Sequence, residues 1–172
     1  MITKYTAYIA ASIDGRIAES PHSGVNFTSR EDSSFFQRAL KHAGVVVVGR
    51  NTFKIAEKGL RQRNTIVLTS RVTEPTISGS VTFFNPERFN IEEFIQNKKY
   101  KHVAIAGGPH VYNFFLEHRM LTELFVTIEP YIFGTGVPMF QGSSFKKFPL
   151  YLRSVKRLNK QGTLLLRYTY EN

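Results

Sequence analysis

Three apolar runs in this 172-residue chain end in the same kind of residue cluster, and those clusters are where chemistry could be done. They read VVVVGRNTF (45–53), TIVLTSR (65–71) and VAIAGGPHVY (103–112). In open parallel sheets, ligands sit in the crevice outside the carboxyl ends of the strands. Gly49, Gly107 and Gly108 would let a phosphate approach the backbone with no Cβ in the way. Free amides at two helix starts, Arg50–Thr52 and Pro109–Val111, would then point at the anion. Arg50 adds a forked cation suited to phosphate oxygens, and Thr52 adds a hydroxyl. Arg71 follows TIVL at a position suited to an adenosine 2′-phosphate, the group that separates NADPH from NADH. Taken singly, each glycine is an ordinary turn, Arg50 and Arg71 are solvated cations, and His110 is a surface residue at a helix start. Their combination points to a dinucleotide. Neither GxGxxG nor GxxxxGK[ST] occurs, so the standard Rossmann and P-loop readings are weak.

The elements that must hold these clusters follow from the apolar pattern. Tyr5 to Ala11 reads as a buried strand, stopped by the turn Ser12-Ile13-Asp14-Gly15-Arg16. Residues 19–27 are polar, with Pro21 and Gly24, and read as a loop. Thr28 or Ser29 caps a helix whose first turn is acidic and which runs to about Ala43. Val45–Val48 is wholly β-branched, as in a strand buried on both faces of a parallel sheet. A short helix follows to about Gly59; then come strands over 65–69 and 81–84, a helix anchored by Ile91 and Ile95, a strand over 103–106 and a helix through Phe115 and Leu116. Beyond Leu121 three long strands are expected, over 124–128, about 150–158 and 163–170, with little helix between them. Strand–helix alternation giving way to a β-rich end predicts one α/β domain over 1–172. Its mixed sheet should be parallel in the middle and antiparallel at the C-terminal edge.

Composition narrows the class. A hydrophobic fraction of 42% fills one core, and the absence of cysteine rules out disulfides, a thiol nucleophile and Cys-ligated zinc. No metal site is expected. No run approaches the ~20 apolar residues that span a bilayer, and the first residues lack a signal segment, so a cytoplasmic protein without a membrane partner is expected. The formal charge of +10 attracts anions without choosing among nucleic acid, membrane and polyphosphate. Basic residues form only short clusters and no RNA-binding signature, so no nucleic-acid partner is expected, a basic nucleic-acid-binding domain being the rival reading.

The same residues carry a resemblance over nearly the whole chain. YIAASIDGRIA, VVVVGRNTF, IVLTSR, AIAGGPHVYNFFLE and ELFVTIEPYIFGTGVPMF are similar, in that order, to segments of the dihydrofolate reductase superfamily. They are most similar to its branch containing the riboflavin-biosynthesis reductase domain. The resemblance implies a three-layer α/β/α fold, a homodimer and NADPH as cofactor. It implies phosphate contacts at Gly49, Arg50, Asn51 and Thr52, at Thr69, Ser70 and Arg71, and at Gly107, Gly108, Pro109, His110 and Val111. It places the nicotinamide beside Ala11, Ser12, Ile17 and Ala18.

For the acid, DSSFFQR (32–38) is similar to the helix that carries the single active-site carboxylate of bacterial dihydrofolate reductases. Asp32 then takes the carboxylate's place, and Thr127 matches the threonine bonded to it. The alternative is that Glu31 and Asp32 merely favour the positive end of a helix. Asn26-Phe27 stands where those reductases carry a tryptophan, and FKIAEKGLRQRNT lacks the Asp-Pro…Leu-x-x-Arg element of the riboflavin branch. The expectation is hydride transfer to a small heterocyclic or ribosylamino-pyrimidine or pteridine-type substrate. A homologue that binds nucleotide without catalysis is the other reading.

Overall fold

The computed structural model describes residues 2–170. Its main sheet is built from β1 (Lys4–Ser12), β3 (Val45–Gly49), β4 (Thr65–Leu68), β5 (Thr76–Ser78), β6 (Val81–Phe84), β7 (His102–Ile105), β8 (Glu123–Glu129), β10 (Tyr151–Arg157) and β11 (Leu164–Thr169). A two-stranded ribbon joins β2 (Arg16–Ala18) to β9 (Val137–Pro138). The helices are α1 (Arg30–His42), α2 (Arg50–Leu60), α3 (Ile91–Asn97) and α4 (Pro109–Glu117).

The strand order is β10-β11-β8-β1-β7-β3-β4-β6-β5. From β8 to β6 the strands run parallel, and both edges are antiparallel. The C-terminal edge was expected; the far edge, made by β5, was not. All three residues of β5 are exposed, so no apolar run announces the strand. Its hydrogen bonds to β6 define it.

Alternation along the strands divides the core in two. Tyr5, Ala7, Ile9, Val45, Val47, Val103 and Ile105 face α3 and α4, whose Ile91, Ile95, Val111 and Phe115 cover them. Tyr8, Val46, Val48, Val67 and Ala104 face α1 and α2, with Leu40, Phe53 and Leu60 above. The result is the predicted three-layer arrangement, and it explains why Val45–Val48 is apolar at every position: both faces are covered.

Helix starts follow their caps. Ser29, in extended backbone, accepts from the Asp32 amide at 3.3 Å and begins α1. Asn90 does the same for α3, accepting from Glu92 and Glu93. Downstream of β8 the chain is mostly irregular until β10, yet it is tied back to the front of the sheet. The Met139 amide donates to Gly15 O at 3.1 Å, and β9 pairs with β2.

Gly136 makes that return possible. Its φ is +120°, and a Cβ there would stand 2.5 Å from Ala18 O. Gly136→Ala is expected to destabilise the fold by about 2 kcal/mol, the range of a strained left-handed residue. Thermal denaturation measures this, and an unchanged midpoint would show that the ribbon contributes nothing to stability.

Candidate nucleotide cleft and buried acid

Parallel pairing of β7, β3 and β4 brings the three sequence clusters to one edge. Val47 is level with Ile105, and Gly49 with Leu68. The Gly49 amide donates to Gly107 O at 2.7 Å, so the α2 and α4 starts adjoin. Gly49 and Gly108 are the N-cap residues, and neither supplies a side-chain cap. The first amides of α2 and, in α4, that of His110 are therefore left for another acceptor. The glycines are closely packed. A Cβ on Gly49 would meet Val111 Cγ2 at 3.2 Å, and one on Gly107, at φ +109°, would meet the Tyr112 hydroxyl at 3.1 Å. A Cβ on Gly108 would lie 3.7 Å from Thr52 Oγ1, which shows how closely the two turns face each other. The Gly107–Gly108 peptide is cis.

One detail differs from the sequence reading. Pro109 has no amide hydrogen, and Val111 gives its own to Gly108 O at 3.0 Å. His110 is the residue of Pro109–Val111 whose amide remains for a ligand. At the other turn Arg50 and Thr52 are half-buried and Asn51 is exposed.

The third cluster is held from beneath by a residue the sequence reading did not single out. Asn85 is 2% exposed, and its amide donates to Ser70 O at 3.4 Å and Val72 O at 3.1 Å. Thr69 Oγ1 accepts from the Arg71 amide at 3.2 Å, leaving the exposed Arg71 side chain without an acidic partner among the described residues. The signal for Asn85 was its place between the apolar strand VTFF and Pro86, where a polar side chain ends a strand.

Ala11 and Ser12 close β1 and are buried; Ile17 and Ala18 lie on β2 beside them. The Ser12 hydroxyl donates to Asp14 Oδ1 at 2.7 Å and accepts from the Arg16 amide at 2.9 Å. Asp14 also accepts from the amides of Phe133 (3.1 Å) and Gly134 (2.8 Å). The Ser12 bond first, then these amides, hold its carboxyl down at about 2. Asp14 is thus a staple between two loops, in agreement with its expected role in the turn.

Asp32 sits in the first turn of α1 and is 6% exposed. Buried Thr127, on β8, is near enough for its hydroxyl to favour the ionised Asp32 carboxyl, so the expected pair is brought together. Burial raises the Asp32 pKa, the Thr127 hydroxyl opposes that, and the negative charge of Glu129 adds to the rise. Glu129 is a second residue the sequence reading passed over. It is 2% exposed; Oε1 accepts from the Ser29 amide and Oε2 from the Thr163 hydroxyl, both at 2.7 Å. It fastens the α1 start to the end of β8 and to the β10–β11 turn. Tyr112 is the third. Its buried hydroxyl donates to Tyr8 O at 2.6 Å, and burial together with the Asp32 charge pushes its pKa up.

Two uncapped helix starts beyond the central strands of a mixed sheet, with a buried acid against the neighbouring strand, define a dihydrofolate reductase-like α/β protein. The RibD C-terminal domain family model matches residues 3–164, and the chain belongs to that family. It is 25% identical over 146 residues, 81% of this chain and 84% of the relative, to the uncharacterized protein YwjB of Bacillus subtilis (strain 168). A pyrimidine reductase-like protein from Corynebacterium diphtheriae superposes with a TM-score of 0.79 at 16% identity, covering 99% of this chain and 92% of that one. Dihydrofolate reductase from Enterococcus faecalis, solved with NADP(H) and RAB-propyl, gives 0.68 at 23% identity, covering 98% and 97%. The structural likenesses carry the fold, and the family supports a riboflavin-pathway-type reductase. Among the described residues no helix is long and apolar enough to cross a membrane.

The raised Asp32 pKa has a consequence for stability. The folded protein holds this proton where the unfolded chain has lost it, so the stabilisation is complete below the unfolded value of 3.8 and fades as pH rises through the higher folded value. Asp32→Asn is therefore expected to melt higher than wild type at pH 8, with the difference closing near pH 4. Melting temperatures across that range test it; a gain independent of pH would contradict a raised carboxyl.

Proposed function

We propose that the protein is an NADPH-dependent reductase acting on a small heterocyclic substrate of the ribosylamino-pyrimidine or pteridine type. The observation that carries this reading is the glycine-floored junction of two helix starts that lack side-chain caps. A pyrophosphate fits such a junction, because helix-start amides without side-chain caps suit an anion and the glycines let the two turns lie against each other. Gly49, Arg50, Asn51 and Thr52 hold one phosphate, and Gly107, Gly108 and His110 hold the other. Thr69, Ser70 and Arg71 take the adenosine 2′-phosphate, with Asn85 keeping their loop in place. Ala11, Ser12, Ile17 and Ala18 flank the nicotinamide. When bound, the cofactor supplies a hydride from nicotinamide C4. Asp32, kept protonated to higher pH than an exposed aspartate, holds a proton at its carboxyl for the substrate atom that becomes basic, and Thr127 orients it.

We further propose a cytoplasmic homodimer joined through the α4 side of the C-terminal strands. Val155 pairs with Leu166 and Leu152 with Tyr168; Leu166 and Tyr168 border the core on that face. Leu152 and Val155 are more than half exposed. Arg153, Lys156 and Arg157 along β10 disfavour edge-to-edge pairing, so a face contact is the better geometry.

Titration with NADPH and NADH tests the cofactor reading. Expected is selective NADPH binding that Arg71→Ala weakens by about tenfold, the scale of a lost charge-assisted bond, with NADH little changed. No binding of either nucleotide at low salt would overturn it. For the dimer, sedimentation should give twice the chain mass, reduced to the monomer by Val155→Glu; a monomeric wild type would remove the proposal.

A further inference from the structure

On the side of α1 facing away from the nucleotide cleft, the structure contains a groove of about 320 Å³. Arg30, Ser34 and Arg38 recur every four residues of α1 and form one wall. Lys156 of β10 stands in the other. Phe35, Leu158 and Leu165 make the floor, with the Phe35 ring fixed by contacts to Tyr8 and Phe125 at centroid separations of 6.0 and 5.3 Å. Lys156 is level with Leu165, on the sheet face opposite Val155 and Leu166.

The walls are held at their spacing. Glu129 bonds both the Ser29 amide and the Thr163 hydroxyl, so the α1 start and the β10–β11 turn cannot part freely. The Asn159 amide reaches Glu31 Oε2 at 3.4 Å and Thr163 Oγ1 at 2.9 Å, closing the same end. Glu31 also lines the groove. Arg30, Arg38 and Lys156 have no ion pair among the described residues. Arg30 is moreover a cation in the first turn of a helix, where the backbone dipole favours an anion. Three cations without ion pairs among the described residues outnumber the one carboxylate, Glu31, which Asn159 holds at the closed end. With the Ser34 hydroxyl and the apolar floor they match a ligand with a compact double negative charge on a flat apolar body.

We propose that this groove is a binding site for a phosphate monoester of a small aromatic or similarly planar group, separate from the nucleotide cleft. Its phosphate is held between Arg30, Arg38 and Lys156, with Ser34 donating, and its ring lies on Phe35 and Leu165. The cavity has room for one ring and one phosphate. A short RNA would need a longer basic track.

Calorimetry with phenyl phosphate at low ionic strength, without nucleotide, tests the site independently of the reductase reading. Phenyl phosphate should bind about tenfold more tightly than inorganic phosphate, the worth of one ring face removed from water. Arg38→Glu and Lys156→Glu should each weaken it at least tenfold, while Arg50→Ala should leave it unchanged. Both charge-reversed positions are exposed, and circular dichroism checks that the variants fold. Absence of saturable binding would overturn the proposal. So would loss on Arg50→Ala alone, which would assign the anion to the nucleotide cleft. Tighter binding of a single-stranded oligonucleotide, abolished by the same charge reversals, would overturn it in favour of a nucleic-acid surface.

Discussion

The Gly49 amide reaches across to the Gly107 carbonyl at 2.7 Å, and the arrangement of the cleft depends on that contact. It requires β3 and β7 to run side by side in parallel register, which they do because both are sealed between helices on either face. A larger residue at either glycine would press into Val111 or the Tyr112 hydroxyl, and at Gly107 it would also meet a positive φ that side chains rarely adopt. Once the starts adjoin, the amides that carry no side-chain cap lie at one edge of the sheet, an arrangement that suits an anion. Arg50 and Arg71 add to a potential that the backbone has already set.

The two ends of β8 show how differently the fold treats buried carboxylates. At the first end, burial works against ionisation of Glu123, but Lys4 and Arg167 outweigh it and hold its carboxyl below the usual range. At the other end, Asp32 and Glu129 share a buried environment with no cation bridging either among the described residues. Glu129 is satisfied by a backbone amide and a hydroxyl, while at Asp32 the nearby Thr127 hydroxyl only partly offsets burial. Retaining an acid at a cost in stability is common where a proton must be held for chemistry. The first end is built as a structural ion cluster, whereas at the second burial raises the Asp32 pKa with no cation to offset it among the described residues.

The loops at the front of the sheet are built with comparable care. Asp14 joins the β1 turn to residues 133–134, and Gly136 permits β9 to lie against β2. These contacts shape the opening beside Ala11 and Ser12 without using residues of the edge formed by Gly49, Gly107 and Gly108. Asn85 plays the corresponding part below Arg71. Side chains beneath and behind the cleft thus decide where its loops are held.

The three layers came through the family resemblance, while the amino-acid sequence by itself determined the main alternation of strands and helices, the antiparallel C-terminal edge and the three glycine- and cation-bearing ends. These are local properties: apolar periodicity, β-branched runs, Ser29 as a cap, and turns at Gly107-Gly108 and Asp14-Gly15. The pairing of Asp32 with Thr127 was legible through resemblance to a known helix and strand. Only the tertiary structure decided that Glu129 fastens α1, that Tyr112 reaches Tyr8, and that Asn85 carries the Arg71 loop. It also decided that exposed Thr76–Ser78 is a strand and that Arg30, Arg38 and Lys156 border one groove. Partners such as Ser29 and Glu129 lie 100 residues apart, and no local pattern encodes a contact that exists only after the sheet has closed.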